Sequence, residues 1–136
     1  SSPTRGVFGG GYSPTTWTDM EYITIATTGV VQDFGELTSG GLMASNAASN
    51  PIRGLFFGGA PSNTQNIDLI NIASTGNATN FGDVTAMSSG GGWATGVSNG
   101  TRGVLGGMYL DGHSPSVVTE HMDYLTIAQT GNTVKC

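Results

Sequence analysis

One short segment recurs three times in this chain. It reads Thr4-Arg5-Gly6-Val7-Phe8-Gly9-Gly10-Gly11, then Ile52-Arg53-Gly54-Leu55-Phe56-Phe57-Gly58-Gly59, then Thr101-Arg102-Gly103-Val104-Leu105-Gly106-Gly107-Met108, with the Arg positions 48 and 49 residues apart. A period of this length is the signature of one supersecondary unit written several times, each copy hiding its apolar side against the next.

Other blocks keep the same order. Met20-Glu21-Tyr22-Ile23-Thr24-Ile25-Ala26 matches Ile67-Asp68-Leu69-Ile70-Asn71-Ile72-Ala73 and Met122-Asp123-Tyr124-Leu125-Thr126-Ile127-Ala128. Phe34-Gly35-Glu36-Leu37-Thr38 returns as Phe81-Gly82-Asp83-Val84-Thr85, and Gly40-Gly41-Leu42-Met43-Ala44 is echoed by Gly91-Gly92-Trp93-Ala94. Ser1, Ser49 and Ser98 each stand four residues before the repeated Arg. The chain therefore reads as one repeat domain over 1–136: a first repeat at 1–48, a second at 49–97 and a truncated third at 98–136. The Arg-to-acid spacing is 16, 15 and 21 residues, so the third copy carries a longer loop. A start at Ser-Ser-Pro rather than Met leads to the expectation of a processed or excised chain.

Each unit offers about four short β segments. Ile23 and Ile25 alternate onto one face, as do Ile70 with Ile72 and Leu125 with Ile127, while Tyr22, Leu69 and Tyr124 take the other. Strands apolar on both faces belong between packed layers. Thr-Gly pairs at 28–29, 75–76 and 130–131 read as hairpin turns. Gly10, Gly58 and Gly107 are expected to end the first strand of each unit. Composition agrees. Gly accounts for 23 of 136 residues, charged residues for only 10% and apolar ones for 37%, which suits a turn-rich β protein and opposes a helical or disordered one. The expected class is all-β, a β-propeller-like repeat of four-stranded antiparallel blades, about two and a half per chain.

These blocks resemble kelch-like β-propeller blades. More closely, they are similar to the Thr-Arg-Gly-Val-Phe-Gly-Gly-Gly and Tyr-Ile-Thr-Ile-Ala-Thr-Thr-Gly repeats of marine bacteriophage (cyanophage-type) tail-fibre and structural proteins. The resemblance covers nearly the whole chain. It implies a viral structural protein located on a virion or outside the cell.

The net charge of −5 and four scattered cations, Arg5, Arg53, Arg102 and Lys135, leave no basic patch for nucleic acid or anionic membrane. No apolar run reaches the ~20 residues of a membrane span. A lone terminal Cys136 excludes an intrachain disulfide framework and leaves either an incidental thiol or an intermolecular bridge. No nucleophile elbow, phosphate loop or marked acid pair occurs, so no catalytic residue, cofactor or metal site is expected and the chain is not read as an enzyme. His113 and His121, with Asp111, Glu120 and Asp123, lack compact ligand spacing.

The recurring Arg5, Arg53 and Arg102 and the recurring Glu21, Asp68 and Asp123 are read as blade-structural. The acids are expected to bond the Arg series or a neighbouring turn, and the Arg forks to join blades. The segments that differ between copies, 12–19, 60–66 and 109–121, are the candidate binding loops. Their residues Tyr12, Trp17, Tyr109, Asp111 and His113 suit contact with a surface glycan, although the aromatics equally suit contacts between blades. Expected partners are copies of the chain or adjoining repeats of a longer one, and a host-surface glycan. The favoured function is a structural or adhesive component of a virion fibre or appendage. The alternative is a secreted propeller lectin, which predicts equivalent sugar pockets in all copies; Trp17 has no counterpart in the other two.

Overall fold

The structure, a computed structural model, describes the chain except residues 12, 13, 16, 39–41, 44, 45, 59, 62–64, 86–90, 93, 94, 108, 111–116 and 119. Three antiparallel sheets follow one another. The first holds β1 (Arg5–Gly9), β2 (Asp19–Thr24) and β3 (Gln32–Glu36). The second holds β5 (Asn46–Ser49), β6 (Arg53–Phe57), β8 (Asn66–Asn71) and β9 (Thr79–Asp83) in that spatial order. The third holds β11 (Thr95–Ser98), β12 (Arg102–Gly106), β15 (Met122–Thr126) and β16 (Val134–Lys135). The chain is all-β, and among the described residues there is no helix. Four strands per unit hold for the second and third units, and three for the first. The sheets also run across the phase read from the sequence, since Asn46–Ser49 pairs with β6. A period has no natural starting point in sequence; strand pairing supplies one.

Equivalent strands keep equivalent register. Glu21 faces Phe8, Asp68 faces Phe56 and Asp123 faces Leu105 across the two middle strands. Gly10, Gly58 and Gly107 directly follow β1, β6 and β12, with φ of 80°, 70° and 68°. The Thr-Gly pairs, however, are not the tight turns. The hydrogen-bonded turns close one step earlier, from Thr27 N–H to the Thr24 carbonyl, Ser74 to Asn71 and Gln129 to Thr126. Ile25-Ala26, Ile72-Ala73 and Ile127-Ala128 occupy their centres, which frees the following Thr-Gly for another task.

That task is contact between units. Gly76 N–H bonds the Phe34 carbonyl at 2.6 Å and Ala78 N–H the Glu36 carbonyl at 2.8 Å; Gly131 and Thr133 repeat this on Phe81 and Asp83, at 2.8 and 2.9 Å. The backbones approach so closely that a Cβ on Gly35 would stand 2.5 Å from the Gly76 carbonyl, and one on Gly82 would strike the Gly131 carbonyl. Only glycine fits at such a crossing.

Every buried apolar side chain among the described residues belongs to one of two clusters, and each cluster spans a joint between units. The first gathers Met20, Phe34 and Leu37 of the first unit against Phe56, Ile70, Ile72 and Ala78 of the second. The other sets Ile67, Phe81, Val84, Leu55, Phe57 and Ala48 of the second unit against Leu105, Leu125 and Ile127 of the third. The two-faced reading of the middle strand holds in β8: Ile70 lies in the first cluster, and Leu69 packs on the other. Each such side chain contributes about 1.5–3 kcal/mol when fully buried, so stability resides between the sheets.

Candidate functional site

Two opposite rims divide the work. One carries the tight turns already described and the links from β5 to β6 and from β11 to β12. In those links Asn50 Oδ1 accepts from Ile52 and Arg53 N–H, and Asn99 Oδ1 from Thr101 and Arg102 N–H. Ser2 Oγ substitutes in the first unit, accepting from Thr4 and Arg5 N–H. Asx and Ser/Thr side chains that mimic a backbone turn thus hold the approach to the Arg strand in all three units, Asn in two and Ser in the first.

The Arg series acts here as a joint, as expected of a guanidinium that satisfies several acceptors. Arg5 Nη1 donates to the Ile72 and Ala73 carbonyls at 3.2 and 2.8 Å, and Arg53 Nη1 to the Ile127 carbonyl at 3.2 Å. Each Arg thus grips the turn of the following unit. Arg5 also lies 4.6 Å from the Tyr22 ring centroid, and Arg102 lies 5.3 Å from that of Tyr124; such stacking fixes the fork's plane.

The acids do not meet the Arg series. Asp68 accepts from the N–H and hydroxyl of Thr38, and from Asn66 Nδ2. Asp123 accepts from the hydroxyls of Thr85 and Thr133. In each joint, then, the threonine closing one unit donates to the buried acid of the next. The sequence displayed Thr38 and Thr85 within the recurring blocks, but periodicity along a strand carries no information about which neighbouring unit a side chain meets. Glu21, on the outer side of the first unit, is exposed where Asp68 and Asp123 are buried. Ser1, Ser49 and Ser98 form a ladder across the joints, Ser98 Oγ donating to the Ser49 carbonyl at 2.8 Å and Ser49 Oγ to that of Ser1 at 3.3 Å.

The opposite rim carries what differs between units. β4 (Leu42–Met43) pairs with β7 (Ala60–Pro61), and β10 (Gly91–Gly92) with β13 (Tyr109–Leu110), which pairs with β14 (Val117–Val118). The longer loop of the third unit thereby becomes a small hairpin that the sequence did not announce. Of the candidate binding residues, Tyr12, Asp111 and His113 lie outside the described residues, and Tyr109 is described only as a strand residue. Trp17 is 52% exposed. It borders an open cleft of about 390 Å³ with Phe8, Asp19, Glu21 and Asp33. His121 and Glu120 are exposed, and no group of three or more potential metal ligands occurs among the described residues. No protein-family model and no curated protein matches this chain.

Proposed function

We propose that this chain is a non-enzymatic structural and adhesive module, an arc of β-propeller-like blades from a virion fibre or appendage, which presents its variable rim to a host surface. The observation that carries this reading is the separation of the rims. One rim and both joints repeat the same backbone hydrogen-bond pattern from unit to unit, while segment length varies on the other. A scaffold that holds divergent loops on a rigid repeated frame is built for contact rather than chemistry. Binding of the fluorescently labelled chain to a panel of marine bacterial cells tests it. Saturable binding is expected, and replacing residues 109–118 with a Gly-Ser linker should remove it. Absence of saturable binding to every cell type would overturn the adhesive role.

A lectin is the second reading, favoured by Trp17 beside three carboxylates. An aromatic face with adjacent acceptors suits a sugar ring and its hydroxyls. It requires a glycan-array signal that Trp17→Ala abolishes while the loop exchange leaves it intact.

A further inference from the structure

The two ends of the three-unit stack are the two halves of a joint that the chain already builds twice. On the first unit, Phe8 is 61% exposed and Ile25 53% exposed. Their counterparts in the other units, Phe56 with Ile72 and Leu105 with Ile127, are all buried, covered by the preceding unit. On the third unit, Met122 is 51% exposed, whereas its counterparts Met20 and Ile67 are fully buried by the following unit. Large apolar side chains exposed together at positions buried elsewhere in the same repeat mark an interaction surface.

The shapes match in detail. In the first joint the Phe56 ring rests on Gly9 beside Met20; a Cβ on Gly9 would lie 3.3 Å from that ring. Gly106 and Met122 are the same pair in the third unit. There they border an open apolar groove of about 300 Å³ that Val97 and Val104 complete. Phe8 is the same knob as Phe56. Arg102, exposed on the same end, is the counterpart of Arg5 and Arg53, which both donate into the next unit's turn. The matching turn of the first unit is Ile25-Ala26.

We propose that Phe8 of one copy of this chain seats in the Gly106–Met122 groove of a second copy, with Arg102 of that second copy donating to the carbonyls of the first copy's turn, Ile25-Ala26. The contact is head-to-tail, so every copy offers one knob and one groove, and the association either closes or propagates. The contact itself follows from the two joints. Its stoichiometry rests on the propeller reading above: two copies bring six units, within the four to eight that close a ring, whereas one copy brings too few and three too many.

Light scattering and sedimentation of the 136-residue chain across micromolar to millimolar concentrations test this. A species of twice the 13.8 kDa chain mass is expected. Phe8→Ala, with an intact groove, and Met122→Glu, with an intact knob, should each remain monomeric. Both sites are exposed, so circular dichroism should be unchanged. Mixing the two variants should restore pairs in 1:1 ratio, because one sound knob meets one sound groove. Arg102→Ala should raise the half-association concentration about tenfold or more. Cys136, which stands where Phe34 and Phe81 stand in the other units, supplies an independent readout, since its thiol should react more slowly with a disulfide reagent as the pair forms. A monomer at all concentrations, or variants that fail to complement on mixing, would overturn the contact. Growth into long polymers with intact complementation would uphold the contact and overturn the closed ring, and with it the propeller reading.

Discussion

The two joints use one backbone pattern but divide their volume differently. In the first, a large knob, Phe56, meets a residue with no side chain, Gly9. In the second, the smaller Leu105 shares its cluster with Phe57, the counterpart of Gly9, and Gly96 makes room for that ring on the other side. Met20 and Leu37 likewise give way to Ile67 and Val84. Close packing demands that the sum of volumes be kept, not the identity of each side chain. The repeat therefore diverges in sequence by exchanging bulk across the joint while the hydrogen bonds of Arg, Thr and Gly stay in place.

The largest expected effects remove a shared anchor. Phe34→Ala and Phe81→Ala empty equivalent places in the two joints and should each cost about 3–5 kcal/mol in denaturant unfolding. Similar losses would show that the joints are energetically alike. A loss confined to one joint would mean that the three sheets do not unfold as one cooperative body, contrary to a stack whose core, among the described residues, lies between units.

The volume exchange is tested by a double-mutant cycle. Leu105→Phe should overpack against Phe57 and cost about 1–3 kcal/mol. Phe57→Gly should open a cavity and cost about 3–5 kcal/mol. Together they rebuild the knob and glycine of the first joint, so the double variant should be more stable than the sum of the single losses predicts by about 1–3 kcal/mol. Strict additivity would sink the compensation argument.

A polar difference separates the joints as well. Ala78 is buried in the first, and Thr133 takes its place in the second, where its hydroxyl donates to Asp123. In the first joint, Asn66 is the extra donor to the acid, Asp68. Thr133→Ala deprives a buried carboxylate of a donor and should cost about 1–3 kcal/mol, measured by chemical denaturation. A cost below that of an exposed substitution would show that Asp123 is held without the Thr133 hydroxyl.

How much of this was legible in the sequence varies with the physical origin of each feature. Strand existence, the two apolar faces of the middle strand and the glycines that follow β1, β6 and β12 were readable, because alternation and turn chemistry are local. Contacts between units were not. The acids find threonines 30 and 38 residues earlier rather than arginines, and the Arg forks find backbone carbonyls, which leave no mark on residue type. The tight turn closes one step before Thr-Gly, and Gly76 and Gly131, at φ 150°, turn their N–H onto the preceding unit's backbone, a contact that local turn chemistry does not signal. Of the candidate binding loops, Trp17 is exposed, and its cleft with Phe8 follows from what the first unit leaves uncovered, which composition does not reveal.

The smallest expected effect separates inner from outer copies of one residue. Arg53 is partly buried and donates to the Ile127 carbonyl, so Arg53→Ala should destabilise by about 0.5–1.5 kcal/mol. Arg102 occupies the same repeat position but is exposed, its fork resting on the Tyr124 ring. At concentrations too low for association, Arg102→Ala should change stability by less than about 0.5 kcal/mol. At concentrations that favour pairing, the same substitution should gain a cost, because Arg102 then has a turn to hold. Equal costs for the two variants in dilute solution would break the comparison: the Arg series would then act within its own sheet, through the aromatic ring and the β12 strand, and not as a clasp between units.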